Sequence, residues 1–242
     1  MNTVSTIDST PERDFLPSKP IIIIPFRNHQ NRLPSYYPDI DSKIKKEHNI
    51  AILHSCKLLK SFSNNEGIFA MILDGREMRT TKELLYLGNK LKRLDIVEYN
   101  LQTYDEIKRK SINFKNINVF HSHIYDFIKN CSSSEVNVVY FDVISNFFSS
   151  ENSNGTDKII SAFLKKSTVN EIILAATFCL RSSHSRDFET QKKNISNSLQ
   201  KIFFEYNFDF EPLIADETYR GQRTSNRSMM FVIYFLTKNE KK

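Results

Sequence analysis

The sequence predicts an α/β fold built on a mainly parallel sheet, and three observations carry that prediction. The stretch Ile68–Asn100, IFAMILDGREMRTTKELLYLGNKLKRLDIVEYN, reads as apolar strand, tight turn, helix and second apolar strand ending at an acid. Strand-like runs then alternate with helix-like runs through most of the chain, the order that lays strands parallel with helices between them. The last two strand candidates follow each other with no helix between, so the sheet closes with one antiparallel strand.

The elements follow from residue chemistry in chain order. Residues 1–20 are polar and carry Pro11, Pro17 and Pro20, which predicts a disordered leader. Ile21–Ile24 is a β-branched run closed by Pro25, suited to an edge strand or a hydrophobic plug. Pro25, Pro34 and Pro38 with Tyr36 and Tyr37 predict an extended arm whose tyrosines pack or stack on a base. Residues 1–40 are therefore read as leader and arm, and 41–242 as one domain. Ile44, Ile50, Leu53, Cys56, Leu58 and Leu59 form a helical stripe from Asp41 to about Ser63, broken by Ser63–Gly67.

Ile68–Leu73 is an apolar run suited to a strand buried on both faces. Asp74-Gly75 signals a turn, and Gly75 can take backbone angles closed to other residues. Thr80 and Thr81 are candidate N-caps of a helix reaching about Leu91, and Leu94–Val97 resumes the strand pattern up to Glu98. Leu101–Lys110 reads as helix, Asn118–Phe120 as strand, Ile124–Asn130 as helix and Val136–Phe141 as strand ending at Asp142. Ser149–Asp157 reads as a loop, Lys158–Lys166 as an amphipathic helix, Glu171–Phe178 as strand and Glu189–Tyr206 as helix. Asp209–Ile214 and Met229–Leu236 are the last strands, joined by the basic loop ADETYRGQRTSNRS.

Composition bounds the function classes. Charged residues are 26% and hydrophobic residues 40% of the 242, ordinary for a globular protein. No apolar run approaches the roughly 18 residues of a membrane span, and the N-terminus lacks a basic start with an apolar core, so neither a membrane partner nor secretion is expected. Cys56, Cys131 and Cys179 are odd in number and widely spaced, which predicts buried free thiols in a reducing intracellular compartment, cytoplasmic or nuclear. A net charge of +6 is compatible with a polyanionic partner.

Ligands in an open α/β sheet bind at the carboxyl ends of the strands. Asp74, Glu98, His121-Ser122-His123 and Asp142 all stand there. Asp74 and Glu98 lie 24 residues apart, near the roughly 20 that separate a phosphate- or ligand-binding turn from a ribose-binding acid. His121 and His123 have no evident third ligand, so no metal is expected.

On these residues the chain resembles class I S-adenosylmethionine-dependent methyltransferases over about Glu66–Lys238. Leu73-Asp74-Gly75 resembles the methionine-binding turn, Glu98 the acid holding the ribose hydroxyls, His123-Ile124 the adenine-flanking pair, and Phe141–Ser145 the motif facing the methyl group. A turn followed by TTKEL is similar to that of small viral and microbial members. The resemblance implies a Rossmann-like, seven-stranded, mostly parallel sheet with an antiparallel last strand and helices on both faces. It implies S-adenosylmethionine held by Asp74, Gly75, Arg76, Glu98, His123 and Ile124, with Arg76 placed to pair with the cofactor carboxylate and Asp142 orienting or deprotonating the acceptor. It also puts the loops bearing Arg181, Arg186, Arg220, Arg223 and Arg227 at the substrate mouth, as a rim for the phosphates of DNA or RNA.

The chain departs from the family pattern in three places. The turn has one glycine, followed by Arg76, Glu77 and Met78. His123 stands where an acid is common. Asp142 is followed by Val143-Ile144-Ser145 and lacks the Pro-Pro-aromatic shelf of amino-methylating enzymes on bases. These departures motivate an alternative expectation: a catalytically inactive, methyltransferase-like subunit binding nucleic acid, or a protein partner through its N-terminal arm.

Overall fold

The computed structural model describes residues 38–130, 133–143, 147–148, 155–180, 188–220 and 228–239. Most of the predicted leader and arm, including Tyr36 and Tyr37, lies outside them, as do Cys131, Arg181, Arg186, Arg223 and Arg227.

Seven strands form one sheet: β1 (Ile68–Ile72), β2 (Leu91–Glu98), β3 (Ile117–His121), β4 (Val138–Asp142), β5 (Glu171–Leu180), β6 (Phe208–Arg220) and β7 (Ser228–Lys238). Their spatial order is β3-β2-β1-β4-β5-β7-β6. All neighbouring pairs from β3 to β5 are parallel, and β7 runs antiparallel to both β5 and β6. The order reverses between β1 and β4, so the crevice expected of an open sheet opens there.

Helices cover both faces, because the central strands are apolar on both sides. Against one face lie Ile52 and Cys56 of the helical segment that begins with α1 (Pro38–Ser55), Leu84 of α3 (Arg79–Leu84) and Ile107 of α4 (Leu101–Ser111). Against the other lie Phe127 of α5 (Ile124–Asn130), Phe163 of α6 (Thr156–Lys166) and Leu199 of α7 (Phe188–Glu205). The four-residue α2 (Lys60–Ser63) links α1 to β1.

Several boundaries differ from the sequence expectation for identifiable reasons. α1 begins at Pro38, where a fixed φ and a missing N–H suit the first helical position. Its buried stripe runs through His48, Asn49, Ile52, Ser55 and on to Cys56, while Ile44, Ile50 and Leu53 are only half-buried. The single helix expected after β1 is a six-residue α-turn followed by a 3-10 stretch, Leu85–Lys90, because Gly88 turns to φ 56° and lets β2 start at Leu91. β6 absorbs the first half of the expected basic loop: two bulges after Pro212 let the strand run on to Arg220.

Candidate active site

Strand register aligns the predicted acids. Ile72 pairs with Ile96 of β2 and Tyr140 of β4, so Asp74, Glu98 and Asp142 each lie two residues beyond a paired position. The Leu73 N–H donates to Tyr140 O at 3.1 Å, carrying the β1–β4 ladder to the edge of the turn. Thr177 of β5 pairs with Asp142 and extends the row.

Asp74 is held by three neutral donors. Oδ2 accepts from the Thr81 N–H and the Thr81 hydroxyl, both at 2.8 Å, and Oδ1 accepts from the Gly75 N–H at 3.0 Å. Thr80 and Thr81 therefore lie inside α3, and the expected threonine caps give way to this carboxylate. It satisfies a first-turn N–H that the cap position, buried Met78 at φ 51°, leaves open. No cation is ion-paired with Asp74 among the described residues. Burial first, and the nearby Asp142 charge in addition, push its carboxyl up to about 6 against those hydrogen bonds.

Gly75 does not use the left-handed conformation open to a glycine; among described glycines, positive φ belongs to Gly67 and Gly88. A Cβ on Gly75 would meet no atom within 4 Å, so its bare face is open to a ligand. Arg76 and Glu77 are exposed, and the Arg76 carbonyl accepts from Lys110 Nζ at 2.6 Å. Arg76 and Glu77 thus project outward, while Met78 packs into the core.

Glu98 Oε1 accepts from the Asn100 N–H at 2.6 Å, and Oε2 bonds no described residue. Beside it stands Tyr99, 72% exposed, a residue sequence reasoning passed over. Its ring centroid lies 6.5 Å from that of exposed His123. His121 is turned away, donating from Nε2 to Tyr99 O at 2.9 Å. Ile124 is buried in the core beneath this rim.

Asp142 is partly exposed and accepts from Lys45 Nζ at 2.9 Å through Oδ2. Behind it the Tyr140 hydroxyl meets Thr177 Oγ1 at 3.2 Å. Burial, then the charge of Asp142, raises that phenol well above its ordinary value and keeps it neutral. Sequence reasoning also missed Lys45, His48 and Glu217. His48 is buried, stacked at 3.8 Å on Phe231, with Nε2 3.0 Å from Glu217 Oε1. The available signal was polar residues at the i, i+3 and i+4 positions Lys45, His48 and Asn49, continuing the helix face of Ile52 and Cys56.

The arginines expected at the mouth are only partly described. β5 ends at Leu180, which pairs with Ser228, and Ser228 pairs with Arg220. Segments 181–187 and 221–227, carrying Arg181, Arg186, Arg223 and Arg227, thus leave the described fold at the carboxyl end of β5, the side of Asp142.

No protein-family model matches the chain, and no curated protein matches it. Solved structures do resemble it. A Pyrococcus horikoshii protein assigned as an RNA methyltransferase is similar over 89% of this chain and 92% of its own, with a TM-score of 0.51 at 14% identity. Magnesium protoporphyrin IX methyltransferase from Synechocystis, solved with bound S-adenosylmethionine, is similar over 83% of each chain, with a TM-score of 0.50 at 10% identity. An N-methyltransferase from Bradyrhizobium japonicum is similar over 82% of this chain and 99% of its own, again with a TM-score of 0.50 at 10% identity. At such identities the likeness is one of fold: the chain has the Rossmann-like fold of class I methyltransferases.

Proposed function

We propose that the chain binds S-adenosylmethionine across the carboxyl ends of β2, β1 and β4 and methylates a nucleic acid. The observation that carries the reading is Asp74, a half-buried carboxylate with no ion-pair partner among the described residues, beside a Glu98 oxygen with no described donor. A ligand fitting both brings a cation to one strand end and a diol to the next. S-adenosylmethionine has an α-ammonium for Asp74 and ribose hydroxyls for Glu98 Oε2. A dinucleotide would instead bring a pyrophosphate toward an uncompensated anion, with none of the spaced glycines that cradle it.

The remaining groups follow from position. Gly75 admits close approach to the backbone, Arg76 pairs with the ligand carboxylate, and the rim of Tyr99 and His123 above Ile124 covers the adenine. When bound, the cofactor supplies an electrophilic methyl group on a sulfonium. The protein contributes alignment, and Asp142 Oδ1 orients the acceptor and takes its proton. The nucleic-acid substrate is supported by the net charge of +6 and by the departure of both arginine-bearing segments from the Asp142 side of the sheet.

Calorimetric titration with S-adenosylmethionine tests the reading: micromolar binding is expected, weakened about tenfold or more in Glu98→Ala by loss of charge-assisted bonds to the ribose. No heat with the wild-type protein would sink it. A second reading, a silent subunit, draws on the engagement of Asp142 by Lys45. It is favoured by little cofactor binding together with salt-dependent association with RNA or DNA.

A further inference from the structure

We propose that Lys45 is a positioning residue of this site: from α1 it fixes the Asp142 carboxylate and compensates the negative charge that Asp142 and Asp74 together place at the strand ends. The inference rests on reading those ends as a cofactor site.

Helix α1 is tied to three separate parts of the fold by residues on one of its faces. Lys45 Nζ donates to Asp142 of β4 at 2.9 Å. His48 meets Glu217 of β6 at 3.0 Å and stacks on Phe231 of β7. Asn49 Oδ1 accepts from the Thr80 hydroxyl of α3 at 3.1 Å, one residue from the Thr81 that holds Asp74. The His48 and Asn49 ties are buried and set where α1 lies; the Lys45 tie is partly exposed and faces the crevice.

Electrostatics assign the task of Lys45. Asp142 and Asp74 repel each other across adjacent strands, and each also raises the pKa of buried Tyr140. Among the described residues Lys45 is the one cation ion-paired to either carboxylate. Among the described residues, the other titratable groups coupled to this pair are Tyr140 of β4, which both carboxylates act on, and Tyr219 of β6, which also acts on Tyr140. α3 contributes to Asp74 only the neutral N–H and hydroxyl of Thr81. Without Lys45 the Asp142 charge acts on Asp74 uncompensated, and Asp74 takes up its proton at higher pH. A protonated Asp74 no longer attracts a ligand ammonium, so Lys45 acts on cofactor binding through two carboxylates.

The test compares wild type, Lys45→Met, Lys45→Arg and the double variant Lys45→Met/Asp142→Asn. Asp side-chain carboxyls are titrated by carbon-13 NMR without ligand, and S-adenosylmethionine affinity is measured against pH. Lys45→Met is expected to move the Asp74 titration upward by about half a pH unit or more. It should weaken cofactor binding at pH 6.5 about threefold or more and carry the low-pH loss of affinity upward with it. Lys45→Arg should restore both, and the double variant should return Asp74 to the wild-type titration. An unmoved Asp74 titration in a folded Lys45→Met protein overturns the proposal, as does tighter cofactor binding, which would make Lys45 a competitor for the ligand's cation. Absence of cofactor binding in the wild type counts against the cofactor reading alone, because the carboxyl titration is read without ligand.

Discussion

The Asp74 carboxyl, pushed up to about 6, is destabilising to the fold when ionised. Its native value lies above that of an unfolded aspartate, near 4. The stabilising contribution of its proton is therefore complete below about pH 4 and is lost as pH rises through about 6. Asp74→Asn, which keeps an oxygen for Thr81, is expected to gain thermal stability relative to wild type at pH 8 and to lose that advantage at pH 4.5. Differential scanning calorimetry at the two pH values measures the difference. The proton linkage has the same origin as the binding proposal, since the ligand ammonium supplies the compensation that ionised Asp74 lacks. Cys56, by contrast, is chemically quiet: burial pushes its thiol up to about 12, and its Sγ donates to Ile52 O at 3.2 Å. Asp74, Glu98 and Asp142 were legible in the sequence because a strand end is marked locally, by an apolar run that stops. Lys45 was not, because its partner lies 97 residues away and a lysine in a polar helix reads as solvated charge.

Among the elements, α1 depends most on contacts its own sequence does not advertise. Ile52 is fully buried against the sheet and anchors the same face as His48 and Asn49. Ile52→Ala is expected to cost about 2–5 kcal/mol by cavity formation, read from the denaturant midpoint with an unchanged slope. Of the expected stripe, Cys56 and Leu59 are fully buried, whereas Ile44, Ile50, Leu53 and Leu58 are half-buried, because polar residues hold several of the buried positions and a polar residue counts against burial until its partner is known. β6 was cut short for a related reason. Ala215–Thr218 has no apolar alternation, yet Ile214 and Tyr219 stay buried because the bulge between Ile214 and Glu217 shifts the register. In the strand–turn–helix after Ile68, the type of each element was right. Capping was misassigned because the Asp74 side chain reaches seven residues along the chain to Thr81.

For the whole molecule, alternation of strands with helices was enough to predict the sheet, since each parallel crossover needs a helix and the final pair does not. Which side of the sheet the arginine-bearing segments leave from emerged only from the register of β5, β6 and β7. That arrangement predicts salt-dependent association with single-stranded RNA or DNA. Charge reversal in Arg223→Glu/Arg227→Glu should weaken it and reduce the log–log salt slope by roughly 1.4, about 0.7 for each phosphate that is no longer neutralised. Fluorescence anisotropy over a salt series measures both, and an unchanged slope would remove those arginines from the interface.

The bulged outer strand has one more consequence. Among the described residues the sheet ends at β6, an outer strand that would otherwise offer a row of backbone donors and acceptors as a template for another chain. Pro212 deletes one donor from that strand, and the two bulges twist its ladder out of a flat repeat. On that flank the protein carries its own protection against strand-by-strand aggregation, built into the backbone of the same strand whose Glu217 holds His48 of α1.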